Sequence, residues 1–187
     1  ALGIWTEVER GFDISHWNTI HWDKVPDSIS FVNIKATEGI SYTDTDFVTS
    51  YQNAKNIGLD VGAYHFTKFQ NPPIMEAASF LSQVADLDIS KVYLDLEHRG
   101  SGLTALAIET WVLQFMQTLT SFFPTESLGI YTSRNVLHEL GLQASNSFTK
   151  YQLWAADWAK QPLVAPWTTW NTWQYTSTES PEWVTGT

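Results

Sequence analysis

Short apolar runs alternate along the whole chain with segments in which apolar residues recur every three or four positions. The short runs have the length of β-strands, whereas the recurring spacing is typical of amphipathic helices. Seven apolar runs are predicted strands: residues 11–15, 31–36, 61–66, 92–97, 128–132, 152–156 and 172–175. The alternation therefore predicts an α/β fold.

Three helices are predicted between these strands. The first ends at Gly58, the second begins at Pro72 and Pro73, and the third runs from about Thr104 to Phe123. Glycine commonly ends helices, and proline suits their first turn. The apolar residues expected to face the sheet are Phe47, Tyr51, Ala54 and Ile57 in the first helix, Ala78, Leu81 and Val84 in the second, and Ile108, Val112, Phe115, Leu119 and Phe122 in the third.

Repeated strand and helix units favour parallel pairing with right-handed crossovers, as in a barrel or a doubly wound sheet. The connections after residue 132 are too short for full helices. We therefore expect a modified TIM-like β/α barrel with an incomplete outer ring of helices, built as one domain from residues 1–187. In such barrels the chemistry lies at the carboxyl ends of the strands.

Composition narrows the classes of function. The 187 residues carry 10 basic and 20 acidic side chains, a net charge of -10, which argues against nucleic acid as a partner. No apolar run approaches the roughly 20 residues that cross a bilayer, so we expect no membrane partner. There is no cysteine, which excludes disulfides and thiolate sites, and the 10 tryptophans suit sugar binding as well as core packing.

Two carboxylates end the fourth predicted strand. Asp95 and Glu97 are two positions apart, so their side chains point to the same side of the strand. Like charges at this spacing raise the proton affinity of at least one partner, which gives the acid and carboxylate that glycosidic cleavage requires. The spacing alone is a weak motif, and solvated loop acids or a helix cap explain it equally well.

Other polar residues end the first two strands. Asp13 lies in an apolar run, where burial of its charge requires a partner, such as Lys35 on the next strand, or a place in the site itself. Lys35 and Glu38 are close enough in sequence to form their own ion pair.

Histidines give weaker signals. His65 ends the third strand, where a hydrogen-bonded structural role is more common than a catalytic one. His16 and His21 are five positions apart in a turn-rich segment, and the usual zinc, P-loop, dinucleotide and serine-nucleophile motifs are absent from the sequence. We expect neither a metal nor a cofactor.

Seven motifs follow one another along nearly the whole chain: GFDISHWN, FVNIKATEG, VGAYHF, YLDLE, IYTS, LWAADW and WQYTST. In order and approximate spacing they resemble glycoside hydrolase family 25, the Chalaropsis-type lysozymes. The resemblance implies a secreted, monomeric N-acetylmuramidase that hydrolyses the β-1,4 bond between N-acetylmuramic acid and N-acetylglucosamine in bacterial peptidoglycan. It makes Glu97 the general acid and base, with Asp13 and Asp95 as acidic partners. The residues assigned to substrate binding are Lys35, Glu38, Tyr64, His65, Tyr131, Trp154, Asp157 and Gln174.

The resemblance favours retention of configuration but leaves the nucleophile open. Asp95 either attacks the anomeric carbon or orients the 2-acetamido group of the substrate, whose carbonyl oxygen then attacks; we favour the second route. Family members usually continue beyond the WQY strand into a segment with a further Asp. The sequence ends at Thr187, where that segment would begin, so we expect a domain truncated at its carboxyl terminus.

Two other functions fit parts of the sequence. A chitinase-like barrel glycosidase also uses an acid on a barrel strand, but its D-x-x-D-x-D-x-E pattern requires acids where Ser90 and Tyr93 stand. A non-catalytic glycan-binding module fits the aromatic content. Such a module has no need of acids set in apolar strands.

Overall fold

A curled parallel sheet forms the centre of the protein, which a computed structural model describes for residues 8–100, 102–158 and 162–185. The strands are β1 (Arg10–Ile14), β2 (Thr19–Ile20), β3 (Ile29–Glu38), β4 (Tyr42–Thr43), β5 (Asp60–Phe66), β6 (Lys91–Asp95), β7 (Leu128–Thr132), β8 (Gln152–Ala156), β9 (Thr172–Gln174) and β10 (Val184–Thr185). The α-helices of the described residues are α1 (Phe47–Asn56), α2 (Pro73–Val84), α3 (Ala105–Leu119) and α4 (Arg134–Glu139).

The order of the main sheet is β1-β3-β5-β6-β7-β8-β9, and every neighbouring pair is parallel. The short β4 pairs antiparallel with β3, and β10 pairs antiparallel with β2. The sheet curls until its first and last strands approach, since side chains of Asp13 on β1 and Gln174 on β9 are 3.1 Å apart. The seven predicted strands and the barrel-like α/β fold are confirmed.

The outer ring of helices is incomplete, as the sequence predicts. The α4 helix between β7 and β8 has only six residues. Between β1 and β3 there is a single 3-10 turn, Trp22–Lys24. In the described part of the connection between β8 and β9, residues 157–158 and 162–171, no helix forms. Of the helices in the described chain, none combines the length and apolar character needed to cross a membrane.

The core lies between the outer face of the sheet and the helices. The α2 and α3 helices pack against each other, and Phe80 stacks near Phe115 with ring centroids 6.3 Å apart. Both faces of a parallel sheet are usually buried, so its strands read as continuous apolar runs. This explains why runs such as residues 92–94, all at most 3% exposed, could be recognised from the sequence.

Three predicted core contacts are wrong, because Ile57, Ala78 and Phe122 are exposed. The α1 helix ends at Asn56, one residue before Ile57. In α2 the inward stripe contains Ala77, Phe80, Leu81 and Val84, which turns the neighbouring Ala78 to solvent. The α3 helix ends at Leu119, and the turn that follows buries Phe123 in place of Phe122.

A buried polar contact joins α2 to the sheet. His65 on β5 has no exposed surface, and its Nε2 lies 2.8 Å from Glu76 Oε2 on α2. Its Nδ1 lies 2.7 Å from the hydroxyl of Thr37 on β3, and its ring stacks on Phe115. Burial lowers the pKa of His65, against the opposing effect of Glu76. The neutral ring with hydrogen on Nε2 satisfies both partners.

We predict that Glu76→Ala lowers the free energy of unfolding by about 2–3 kcal/mol, because it leaves the buried His65 N–H without an acceptor. Glu76→Gln keeps an acceptor oxygen, so its free energy of unfolding should fall by less than half as much as that of Glu76→Ala. Urea unfolding of the two variants and the parent protein measures the difference. Equal stability of all three proteins would show that the contact contributes nothing.

Candidate active site

The carboxyl ends of the parallel strands bring the predicted polar residues to one mouth of the barrel. Asp13 is next to the last residue of β1, Tyr64 lies near the end of β5, and Asp95 ends β6. Tyr131 on β7 is directly opposite Asp95 in the register, and Gln174 ends β9. Residues separated by most of the sequence therefore share one site.

Asp95 and Glu97 form the centre of this mouth. Asp95 is 5% exposed, whereas Glu97 lies just beyond the strand and is exposed; Leu96 between them is fully buried. Burial raises the pKa of Asp95 well above its ordinary value, and the charge of Glu97 and a hydrogen bond with it add to the effect. The predicted rise in proton affinity thus falls on Asp95. Its Oδ1 is buried and has no hydrogen-bond partner among the described residues.

Gln174 holds the second acid of the mouth. Its Nε2 donates to both carboxylate oxygens of Asp13, each at 3.1 Å. Burial raises the pKa of Asp13 to about 6; the Gln174 hydrogen bonds lower it and the charge of Glu97 raises it. The suggested pairing of Asp13 with Lys35 is wrong, because the β1–β3 register puts Asn33 opposite Asp13.

Lys35 pairs instead with Glu38, as the alternative prediction held. Lys35 Nζ lies 2.8 Å from one oxygen of Glu38, and Lys68 Nζ lies 2.8 Å from the other. Burial disfavours the charge of Glu38, but hydrogen bonds from both lysines outweigh it and lower its pKa. A cavity of about 410 Å³ lies against Glu38, Lys68 and Asn71. Lys68 was not predicted; it follows β5 by two residues, in a loop without a recognisable motif.

Aromatic side chains line the mouth. The Tyr131 hydroxyl donates to Gln174 Oε1 at 2.8 Å, and the Tyr64 hydroxyl donates to the Ile14 carbonyl at 3.2 Å. Burial, followed by the nearby acids, raises the pKa of both tyrosines, so they stay protonated as donors. Trp154 is only 3% exposed and packs on both tyrosines, with ring centroids 5.9 Å from Tyr64 and 4.5 Å from Tyr131. This burial leaves Trp154 chiefly a support for the tyrosine rings.

Two predicted substrate residues have other surroundings. The expectation that His65 contacts substrate is wrong, because the ring is fully buried behind the sheet and both nitrogens bind protein groups. Asp157 joins β8 to β9 through its backbone, which donates to the Gln174 carbonyl at 3.3 Å and accepts from Trp173 Nε1 at 2.7 Å. Its carboxylate lies 3.7 Å from Arg134.

The structure also adds groups that sequence reasoning missed. Trp158 Nε1 donates to Gln174 Oε1 at 3.1 Å, although the side chain is 61% exposed. His16 follows β1 by two residues, and its Nδ1 lies 2.7 Å from the carboxylate of the buried Asp44. The His16 ring lies beside the exposed ring of Trp17. Both tryptophans belong to the quoted motifs, but only the tertiary contacts single them out. Within the described chain, no three His, Cys, Asp or Glu residues are arranged to hold a metal ion.

A cavity of about 550 Å³ opens between β1 and β9 and reaches this mouth from the side. Asp13, Trp154 and Gln174 line it, together with residues of the segment that follows β9. The paired acids Asp95 and Glu97 do not line it. The cavity therefore marks the gap in the barrel wall, whereas the acids lie at the open mouth.

We predict that Asp95→Asn stabilises the fold at pH 7 but not at pH 4. The raised pKa means that folded Asp95 binds its proton more tightly than the unfolded chain, so the parent protein loses stability as the pH rises above about 4. Asparagine removes this loss and should raise Tm at pH 7 by about 2–4 °C, the effect of roughly 1 kcal/mol at this size. Thermal unfolding at both pH values measures it. The exposed Asp60→Asn should change little, and an equal gain at pH 4 and 7 would contradict the prediction.

Comparison with known proteins identifies the family of the chain. The sequence model described as "Glycosyl hydrolases family 25" matches residues 12–182. Lysozyme M1 of Streptomyces globisporus is 30% identical over 97% of this chain, and the chain spans 66% of that relative, just under two thirds of its length. The bacterial lysozyme of Streptomyces coelicolor has a TM-score of 0.85 at 31% identity, covering 97% of this chain and 89% of that structure.

A family GH25 lysozyme from Aspergillus fumigatus gives a TM-score of 0.76 at 28% identity, covering 88% of this chain and 85% of that structure. The matched residues include both Asp13 and the Asp95–Glu97 pair, so the family match and the acidic mouth coincide. The chain therefore belongs to glycosyl hydrolases family 25.

Proposed function

We propose that this protein is a lysozyme that hydrolyses the β-1,4 bond between N-acetylmuramic acid and N-acetylglucosamine in bacterial peptidoglycan. The observation that carries the proposal is the buried Asp95 beside the exposed Glu97 at a barrel mouth, in a chain of family 25. Two of its relatives, from Streptomyces globisporus and Streptomyces coelicolor, are named lysozymes. The substrate lies in cell walls, so the protein acts outside the producing cell, as a secreted monomer.

Glu97 acts as the general acid. Before substrate binds, Asp95 and Glu97 share a proton, which burial keeps on Asp95. An acetamido N–H of the substrate that donates to the Asp95 carboxyl group favours its charged form, because hydrogen bonding to a charged form stabilises it. The proton then passes to Glu97. Glu97 gives it to the glycosidic oxygen as the bond to the anomeric carbon breaks.

The acetamido carbonyl oxygen acts as the nucleophile. It forms a bond to the anomeric carbon and gives a cyclic intermediate, whose N–H remains bound to Asp95. Glu97, now a carboxylate, removes a proton from water, and the water oxygen opens the ring with net retention. Direct attack by Asp95 is less favoured, because the Asp95 carboxylate is occupied by the acetamido N–H while the carbonyl oxygen of the same group reaches the anomeric carbon.

Asp13 and the tyrosines complete the mouth. The Asp13 carboxylate faces the same site as Glu97, whose charge affects its pKa, so it favours the positive charge that develops at the anomeric carbon. The Tyr64 and Tyr131 hydroxyls donate to Ile14 and Gln174, so their oxygens are fixed as neutral acceptors near the acids. Asp13 thus stabilises the transition state while the tyrosines orient the sugar.

The reducing ends released from purified peptidoglycan test the substrate assignment. We expect mass analysis after borohydride reduction to find muramitol ends, because cleavage of the bond from N-acetylmuramic acid to N-acetylglucosamine frees the anomeric carbon of N-acetylmuramic acid. Glucosaminitol ends would identify a glucosaminidase and overturn the assignment. Binding to peptidoglycan without new reducing ends would favour a glycan-binding module.

We predict that Glu97→Gln lowers the rate of wall lysis by at least about 100-fold, because a general acid and base contributes roughly 10²–10⁴ to such reactions. The variant should bind peptidoglycan and unfold like the parent protein, since Glu97 is exposed. Turbidity loss of cell walls measures lysis. The matched control is Glu126→Gln, an exposed residue that precedes β7 at the opposite end of the barrel, which should keep full activity. Lysis by Glu97→Gln at the parent rate would refute the role of Glu97.

A further inference from the structure

Trp158 combines two features that rarely occur together. Its side chain is 61% exposed, yet its indole N–H is fixed by a 3.1 Å hydrogen bond to Gln174 Oε1. An exposed indole usually gains little from being held in one orientation. Here one edge of the ring is fixed at the rim of the acidic mouth while much of its surface stays open to solvent.

The hydrogen bond of Trp158 determines which end of the Gln174 amide faces Asp13. The amide oxygen accepts from Trp158 Nε1 and from the Tyr131 hydroxyl, and the amide nitrogen donates to both oxygens of Asp13. A tyrosine hydroxyl can donate or accept, so Tyr131 tolerates either orientation of the amide. An indole N–H only donates, so Trp158 would lose its hydrogen bond if the Gln174 amide were reversed.

A reversed amide would have two faults. Its oxygen would face the Asp13 carboxylate, and its NH₂ group would face the Trp158 N–H, donor against donor. The side chain of Trp158 is therefore the neighbour on the rim that cooperates with Asp13 to select the observed orientation. The Gln174 amide thus links the solvent-exposed ring of Trp158 to the carboxylate of Asp13.

The exposed surface of Trp158 points to a ligand with apolar C–H groups and polar edges. The faces of pyranose rings have this character, and flat aromatic faces pack against them. Gln174 is hydrogen-bonded to both Trp158 and Asp13. A sugar stacked on the indole therefore lies next to the sugar that is bound at the acids.

We propose that Trp158 stacks on a pyranose ring of the glycan strand, in the sugar site next to the acids, and holds the Gln174 amide toward Asp13. This inference rests on the proposed function. Trp158 is thus a substrate-contacting residue that also acts as a positioning residue for Asp13. The two roles involve different parts of the ring, so substitutions can separate them.

The test compares Trp158→Phe and Trp158→Ala with the parent protein on soluble peptidoglycan fragments. Phenylalanine keeps an aromatic face but lacks the N–H, so KM should stay within about twofold. Alanine removes the face as well, and KM should rise roughly three- to tenfold, which corresponds to about 0.6–1.4 kcal/mol of binding free energy. The control is Phe122→Ala, which removes a ring of 60% exposure just beyond α3, away from the mouth, and should leave KM unchanged.

The positioning role is read from the pH profile of kcat. Donation by Gln174 lowers the pKa of Asp13, whereas the charge of Glu97, just beyond β6, raises it; Asp95, Tyr64 and Tyr131 also face this group. Loss of the indole N–H weakens the donation, so the acid limb should move to higher pH in both Trp158 variants. Gln174→Leu, which removes the amide, should move it at least as far. Superimposable profiles of Trp158→Phe and the parent protein would overturn the positioning role.

Association with insoluble peptidoglycan separates this inference from the proposed function. In a Glu97→Gln background, Trp158→Ala should weaken association three- to tenfold whether or not the parent protein hydrolyses the wall. Equal association would overturn the stacking role. Release of glucosamine ends by the parent protein would overturn the proposed function alone, since the Trp158 comparison does not depend on which bond is cleaved.

Discussion

The contact between Gln174 and Asp13 joins the two ends of the sheet and links the closure of the barrel to its chemistry. The two residues lie 161 positions apart, on the last and first strands of the sheet path. No backbone pairing joins these two strands in the described sheet, so side chains close the gap. The same amide binds Tyr131 and Trp158 through its oxygen. A side chain that helps to close the fold thus also sets the charge of an acid at the mouth.

The mouth concentrates negative charge at a cost to stability, and the opposite face of the sheet offsets it. Asp13 and Asp95 both have raised pKa values because burial disfavours their charged forms. Behind the sheet lie fully buried apolar residues and the contact of His65 on β5 with Glu76. His65 and Glu76 at the back bind each other, whereas Asp95 Oδ1 at the mouth has no partner among the described residues. Such an imbalance is typical of sites that await a substrate.

The sequence predicts the elements well because their signals are local. Apolar runs mark the seven strands, and the spacing of Asp95 and Glu97 predicts a proton shared between neighbours. Register and tertiary contacts are not local, and there the predictions fail. The pairing of Asp13 with Lys35 required a register that the sequence does not encode in any motif. The role of Trp158 depends on an amide on another strand, which no spacing rule could reveal.

The net charge of -10 constrains how such a site holds a glycan. Lys35 and Lys68, the lysines beside the mouth, both pair with Glu38, which leaves one net positive charge in this group of three. Long-range attraction to an anionic wall is therefore weak, and an excess of acids repels it. Affinity has to come from short contacts that salt does not screen, such as hydrogen bonds from sugar hydroxyls to Tyr64 and Tyr131 and stacking on exposed rings. The aromatic content of the chain thus compensates for its charge, and the rim of the barrel is where both effects meet.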